Sequence, residues 1–102
     1  MASKRQFILA KCYDKRGMLL SVAFNSYTKT HPIQKYFAAK VGKDECQYLH
    51  AEISAILRAK GKNIYRITVE RYDSGGNPAN AKPCPICQEA IKAFSIPVVE
   101  HT

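Results

Sequence analysis

From Met18 to Asn25 the apolar residues Leu20, Val22 and Phe24 fall on alternate positions, the period of a β-strand. The run before it, Arg5 to Tyr13, is rich in β-formers, and Phe7 and Leu9 alternate there with the equally apolar Ile8 and Ala10. A strand buried on both faces reads that way. Asp14-Lys15-Arg16-Gly17 carries turn chemistry and ends in glycine, so the two runs are expected to form a hairpin. Ile33, Phe37 and Val41 recur at intervals of four, which predicts a short helix. Thr30 or His31 would cap it, Pro32 suits its first position and Gly42 its stop. A stronger helical stripe follows in Leu49, Ile53, Ile56 and Leu57; it predicts a helix over about Leu49 to Lys60, ended by Gly61.

Alternation returns from Asn63 to Tyr72, with Tyr65, Ile67 and Val69 on one side and Arg66, Thr68 and Glu70 on the other. Asp73 to Pro78 reads as a loop. A second main helix is expected from Cys84-Pro85, with Ile86, Ala90, Ile91 and Phe94 turned inward and a stop before Pro97; Val98 to Thr102 reads as a last strand. The order is β-β-α-β-α-β, with the short helix as an addition in the long connection. Right-handed crossovers then make the last three strands run in one direction. The result is one α/β domain spanning residues 1–102, with a four-stranded mixed sheet and two main helices on one face. Their N-termini would lie side by side at one edge.

Composition changes this picture little. An apolar fraction of 46% and a charged fraction of 24% are ordinary for a globular protein, which argues against disorder. The longest early apolar run, Phe7 to Ala10, is interrupted by Lys11. It is too short for a secretory signal or a bilayer span, so no membrane association and a cytoplasmic location are expected. The net charge of +8 favours contact with phosphates. Its lysines and arginines are scattered, however, and a solvated surface accounts for them as readily.

The candidate chemistry sits at the two helix starts. His50-Ala51-Glu52 opens one and Pro83-Cys84-Pro85-Ile86-Cys87 opens the other. Two thiolates three positions apart on a helical turn can grip one zinc ion, and the positive end of the helix dipole favours their ionised form. His50 would be the third ligand. Three protein ligands leave a fourth position for water, as in catalytic zinc sites. Glu52, two residues on, diverges from His50 by roughly 200° about the helix axis. It is therefore suited to move protons without ligating the metal.

An H-x-E segment followed by P-C-x-x-C is the signature of zinc-dependent nucleobase deaminases. On His50-Ala51-Glu52-Ile53 and Pro83-Cys84-Pro85-Ile86-Cys87, with the elements around them, the chain resembles the cytidine and deoxycytidylate deaminase superfamily. The stretch Asn25 to Pro32 looks like that of small deaminase-like proteins carried by phages, for which the compartment would be the host cytoplasm. The resemblance implies a three-layer-type core. It implies zinc on His50, Cys84 and Cys87, proton transfer by Glu52, and substrate contacts from Asn25 and Ala51. The implied activity is hydrolytic deamination of a base, cytosine before adenine, in a nucleoside, a nucleotide or single-stranded nucleic acid. Deoxycytidylate enzymes often carry asparagine two positions after the glutamate; this chain has Ser54. Superfamily members also commonly carry a helix before the first strand and more structure after the fourth. Without them an apolar sheet face is left open, from which a homo-oligomer is expected.

Three other readings compete. Cys46 or Cys12 could close the metal site into a structural clip, Cys84 and Cys87 could do redox chemistry, and the whole could be a noncatalytic zinc module binding nucleic acid or a protein partner. Tyr27, Tyr36, Phe37 and Tyr48 are expected near the pocket, chiefly as packing. Lys29, Lys35, Lys40 and Lys43 are candidate phosphate contacts or simply a solvated face, and His31 and His101 are expected to be caps or surface residues.

Overall fold

Two hairpin turns of the same construction organise the sheet of this computed structural model, which describes residues 7–26, 28–43, 48–60, 63–73 and 75–102. In the first, Asp14 Oδ1 accepts from the N–H groups of Arg16 and Met18, both at 2.9 Å. In the second, Asp73 Oδ1 accepts from Gly75 at 2.9 Å and Asn77 at 3.0 Å. The fourth residue of each turn is a glycine with positive φ, Gly17 at 87° and Gly76 at 81°, a backbone shape that side-chain-bearing residues adopt at a cost. The first turn joins β1 (Phe7–Tyr13) to β2 (Leu19–Phe24), and the second joins β3 (Arg66–Tyr72) to a two-residue strand β4 (Pro78–Ala79). The remaining elements are α1 (Pro32–Lys40), α2 (Ala51–Arg58), α3 (Pro85–Ala93) and β5 (Val98–His101).

β1 pairs antiparallel with both β2 and β3, and β3 pairs parallel with β5 along Arg66 to Val69. β4 continues that same edge of β3, antiparallel, against Arg71 and Tyr72. β2, β3 and β5 therefore run in one direction, as the crossover argument required. The sheet is mixed and five-stranded; the extra strand lies in the stretch assigned to a loop.

The short helix forms where expected, with His31 as its cap: the His31 Nδ1 accepts from the Ile33 N–H at 3.1 Å. α2 begins two residues later than predicted, and its first six residues, Ala51 to Ile56, are all buried. It packs on β1 and β2 and touches α3, while α1 packs against α3. Ala10, Cys12, Ala23, Ile67 and Val69 from the sheet join Ile53, Ile56, Ile86 and Ile91 from the helices in one core. Gly61 lies outside the described residues.

The other sheet face corrects two expectations. β1 is not buried on both sides: Phe7 is 64% exposed, and its neighbour Phe24 is 53% exposed, the two rings meeting edge to face at 5.5 Å. Leu20 and Val22 share this face and are exposed as well. Its other half is charged, with Lys11–Glu70 and Arg66–Glu100 pairs each at 3.7 Å. Among the described residues no helix covers it, so these residues form two layers, one of sheet and one of helices, and the third layer of the expected core is not among them. The face on which the homo-oligomer expectation rested is open in the single chain.

A candidate metal centre beside a polar cavity

The chain reaches the first ligand through a strap. After β2, the Ser26 N–H donates to the Leu49 carbonyl at 3.0 Å and the Leu49 N–H to the Lys29 carbonyl at 2.8 Å, so the segment before α2 is tied back to the segment after β2. The His50 N–H then donates to Gln34 Oε1 at 3.2 Å. Gln34 belongs to α1 and is 0% exposed, which anchors the start of α2 to a neighbouring helix. His50 is the N-cap residue of α2, and its carbonyl accepts the first intrahelical bond, from Ser54 at 2.9 Å. Its ring is not used for capping and is available elsewhere.

Cys84 is the N-cap residue of α3, Pro85 takes the first helical position and Cys87 the third. Proline fits there because its missing N–H would have had no partner. The Gln88 side chain donates to the Pro83 carbonyl at 2.8 Å and steadies this turn. His50 Nδ1 stands 3.2 Å from Cys87 Sγ and 3.4 Å from Cys84 Sγ. The three donor atoms all lie within 4.8 Å of one another, close enough to bind one metal ion.

In the metal-free trio one sulfur is acidic and the other two groups hold their protons more tightly. The Cys84 thiol is pulled down to about 4, chiefly by the Cys87 side chain and further by His50. Cys87 is raised, first by its bond to the Cys84 sulfur and then by burial. His50 is raised by its bond to Cys84, against the effect of burial. One sulfur thus carries negative charge that its two neighbours stabilise.

A cavity of about 370 Å³ opens beside this trio, and Asn25, Ala51, Glu52, His50 and Cys84 all line it. Glu52 is 6% exposed, and burial raises its carboxyl above the ordinary range, partly offset by its own backbone N–H. Asn25 ends β2; its Oδ1 accepts from the Ile8 N–H at 3.1 Å, which fixes the amide at the sheet edge. Every predicted site residue therefore falls at the trio or in the cavity. Of the four aromatics, Tyr48 lines the cavity, Phe37 is core and Tyr36 is exposed; Tyr27 and Cys46 lie outside the described residues. None of Lys29, Lys35, Lys40 and Lys43 lines the cavity, and Lys40 pairs with Glu89 at 3.5 Å.

The cavity's cations are two that the sequence alone did not single out, Arg71 and Lys82, and Asn80 lines it with them. The available signal was Arg71 itself. It continues the Ile67, Val69 alternation on the core face, where a third apolar residue was due. Gln34 gave no comparable sign. Among the described residues no helix is long and apolar enough to cross a membrane. No family model matches the chain, and no curated protein or solved structure matches it.

Proposed function

We propose that the protein is a zinc-dependent deaminase that hydrolyses the exocyclic amine of a nucleobase. One observation carries the reading: a buried carboxyl group, Glu52, lines the same cavity as the metal-binding trio without belonging to it. A structural metal clip has no use for such a group.

The donor set fits zinc. One imidazole and two thiols are among its preferred ligands, and bond lengths near 2.3 Å to sulfur and 2.0 Å to nitrogen put tetrahedral N and S donors roughly 3.5 Å apart. The observed separations of 3.2 and 3.4 Å are close to that. Zinc held here supplies Lewis acidity, which brings the deprotonation of water into the neutral pH range. Glu52 takes one proton from the attacking water and delivers it to the ring nitrogen, then takes the proton of the newly added hydroxyl, as the C=O bond forms, and passes it to the departing amine. Oxygen adds to the amine-bearing carbon, the C–N bond breaks and ammonia leaves. Burial raises the carboxyl group above its ordinary range, which favours its taking up a proton, the first thing a proton shuttle must do. Ala51 and Asn25 border the space where the base would lie.

The resemblance of His50-Ala51-Glu52 and Pro83-Cys84-Pro85-Ile86-Cys87 to cytidine and deoxycytidylate deaminases supports cytosine as the base. Incubation of zinc-loaded protein with nucleosides, nucleotides and oligonucleotides, followed by ammonia release and base mass, tests it. The expected product gains about one mass unit as NH₂ becomes OH. Zinc-loaded, folded protein that turns over no member of the panel would end the proposal.

A further inference from the structure

Ile67, Val69 and Arg71 occupy successive positions on the helix-covered face of β3. The first two are core, and the third reaches the point where the core gives way to the cavity. The β3–β4 hairpin then folds back over it. Arg71 Nη1 donates to the Asn80 carbonyl at 3.2 Å, and the Arg71 backbone N–H donates to Thr102 Oγ1 at 3.1 Å. The Nε atom is buried and has no hydrogen-bond partner among the described residues. Buried donors of a charged group are rarely left so, because they forgo both water and protein partners.

Nor is the charge answered by an acid. Among the described residues the ion pairs engage Lys11, Lys40 and Arg66, and neither Arg71 nor Lys82 takes part in one. Glu52 is the one carboxylate among the residues lining the cavity, and it stands at the metal end. The cavity lining therefore also carries two cations that have no ion pair among the described residues, Arg71 on the sheet and the exposed Lys82.

We propose that Arg71 and Lys82 form a phosphate subsite, and that the substrate is accordingly a mononucleotide whose sugar phosphate enters the cavity. The inference rests on the deaminase reading for the identity of the base. A guanidinium fork matches phosphate oxygens in pairs, whereas an ammonium acts as a point charge. A phosphate monoester carries close to two negative charges at neutral pH, which two cations balance; each phosphate of a strand carries one. The cavity's size is that of a small-molecule site, and Arg71 sits inside it, where a strand would have to continue out in both directions.

Binding is measured by calorimetric titration of the zinc-loaded protein with cytidine, cytidine monophosphate, a short single-stranded oligocytidine and inorganic phosphate. A charge-assisted contact predicts that the monophosphate binds about tenfold or more tightly than the nucleoside, and that inorganic phosphate competes with it. Arg71→Gln should collapse that ratio toward one, with Arg71→Lys in between. If Arg71→Gln does not fold, the exposed Lys82→Gln carries the test and should lower the ratio. Equal binding of nucleoside and monophosphate, or tighter binding of the oligonucleotide, overturns the subsite. Turnover separates the two claims. A phosphate preference without deamination of any ligand sinks the deaminase reading and keeps the subsite, while equal kcat/KM on nucleoside and monophosphate does the reverse.

Discussion

Gln34 is the residue on which the rigidity of the candidate metal centre is best tested. It is fully buried in α1, and its Oε1 accepts from the backbone N–H of His50 at 3.2 Å. Gln34→Met keeps the length and bulk of the side chain and removes the acceptor. Leaving one largely buried N–H without a partner costs about 1–3 kcal/mol, and this loss should appear in the metal-free protein. The same change frees the start of α2 and with it the His50 ring. Loss of a group that orients a metal ligand typically weakens binding by about 10–100-fold. Under excess metal that weakening subtracts about a further 1.4–2.8 kcal/mol from the stability of the loaded protein. Urea denaturation of both proteins, with and without zinc, gives four stabilities and one coupling term. The variant should lose more stability in the zinc-loaded form than in the free form, and a chelator competition should return the same difference as an affinity ratio. Equal losses in the two forms would refute the reasoning, because Gln34 would then be packing alone.

Other outcomes test neighbouring claims. Glu52→Gln should retain zinc and lose turnover by about 10²–10⁴-fold, the usual scale for a positioned acid–base group; a variant that kept its activity would remove Glu52 from the mechanism. With the Cys84 thiol held at about 4, the metal-free protein should be alkylated there by iodoacetamide at pH 5–6. An ordinary thiol is almost wholly protonated at that pH, with a thiolate fraction on the order of 10⁻³ or less. Cys12, raised by burial, and Cys87, raised by Cys84 and by burial, should resist, and zinc should protect Cys84; mass spectrometry of the peptides reads all three. Ile67→Ala in the core should cost about 2–5 kcal/mol, whereas Phe24→Ser on the open sheet face, which loses the edge contact with Phe7, should cost less, about 1 kcal/mol. Comparable losses in denaturant titrations at low protein concentration would mean that Phe24 is not on an open face.

The helix starts were legible because cap chemistry and periodicity agree there. Pro32 and Pro85 sit where the missing N–H is harmless, and His50 and Cys84 immediately precede their helices. Crossover handedness brought the two helix starts together, and the spacing of Cys84 and Cys87, with the family resemblance, named them and His50 as the ligands. What the pattern misjudged was the second face of β1. Apolar residues on both sides of a strand read as double burial, but alternation cannot report whether a second layer exists to do the burying. β4 was missed for lack of length, since two residues give no period. Its turn nevertheless repeats the aspartate-to-glycine spacing of Asp14 and Gly17 at Asp73 and Gly76. Arg71 was legible and passed over: the alternation that puts Ile67 and Val69 on the core face puts Arg71 there too, and the register confirms it.

That register also explains why the cavity is polar at both ends and lies where it does. Ile8 pairs with Arg71 on one side and meets Asn25 through two hydrogen bonds on the other. Asn25, Ile8 and Arg71 therefore form one row across three adjoining strands, at the carboxyl ends of β2 and β3. In α/β sheets ligands collect at such ends, because the helices that follow begin there with unpaired N–H groups. Here β1 separates the two strands and runs the opposite way, so α2 and α3 start on either side of a gap. The sequence fills that gap from the helix side with His50, Glu52 and Cys84, and from the sheet side with Asn25 and Arg71. A ligand filling this space would lie among His50 and Cys84 of the candidate metal trio, Glu52 and Arg71, all of which line it. Moving either group by one position along its strand or helix would turn it away, since a single step reverses a strand side chain and swings a helical one by about 100°.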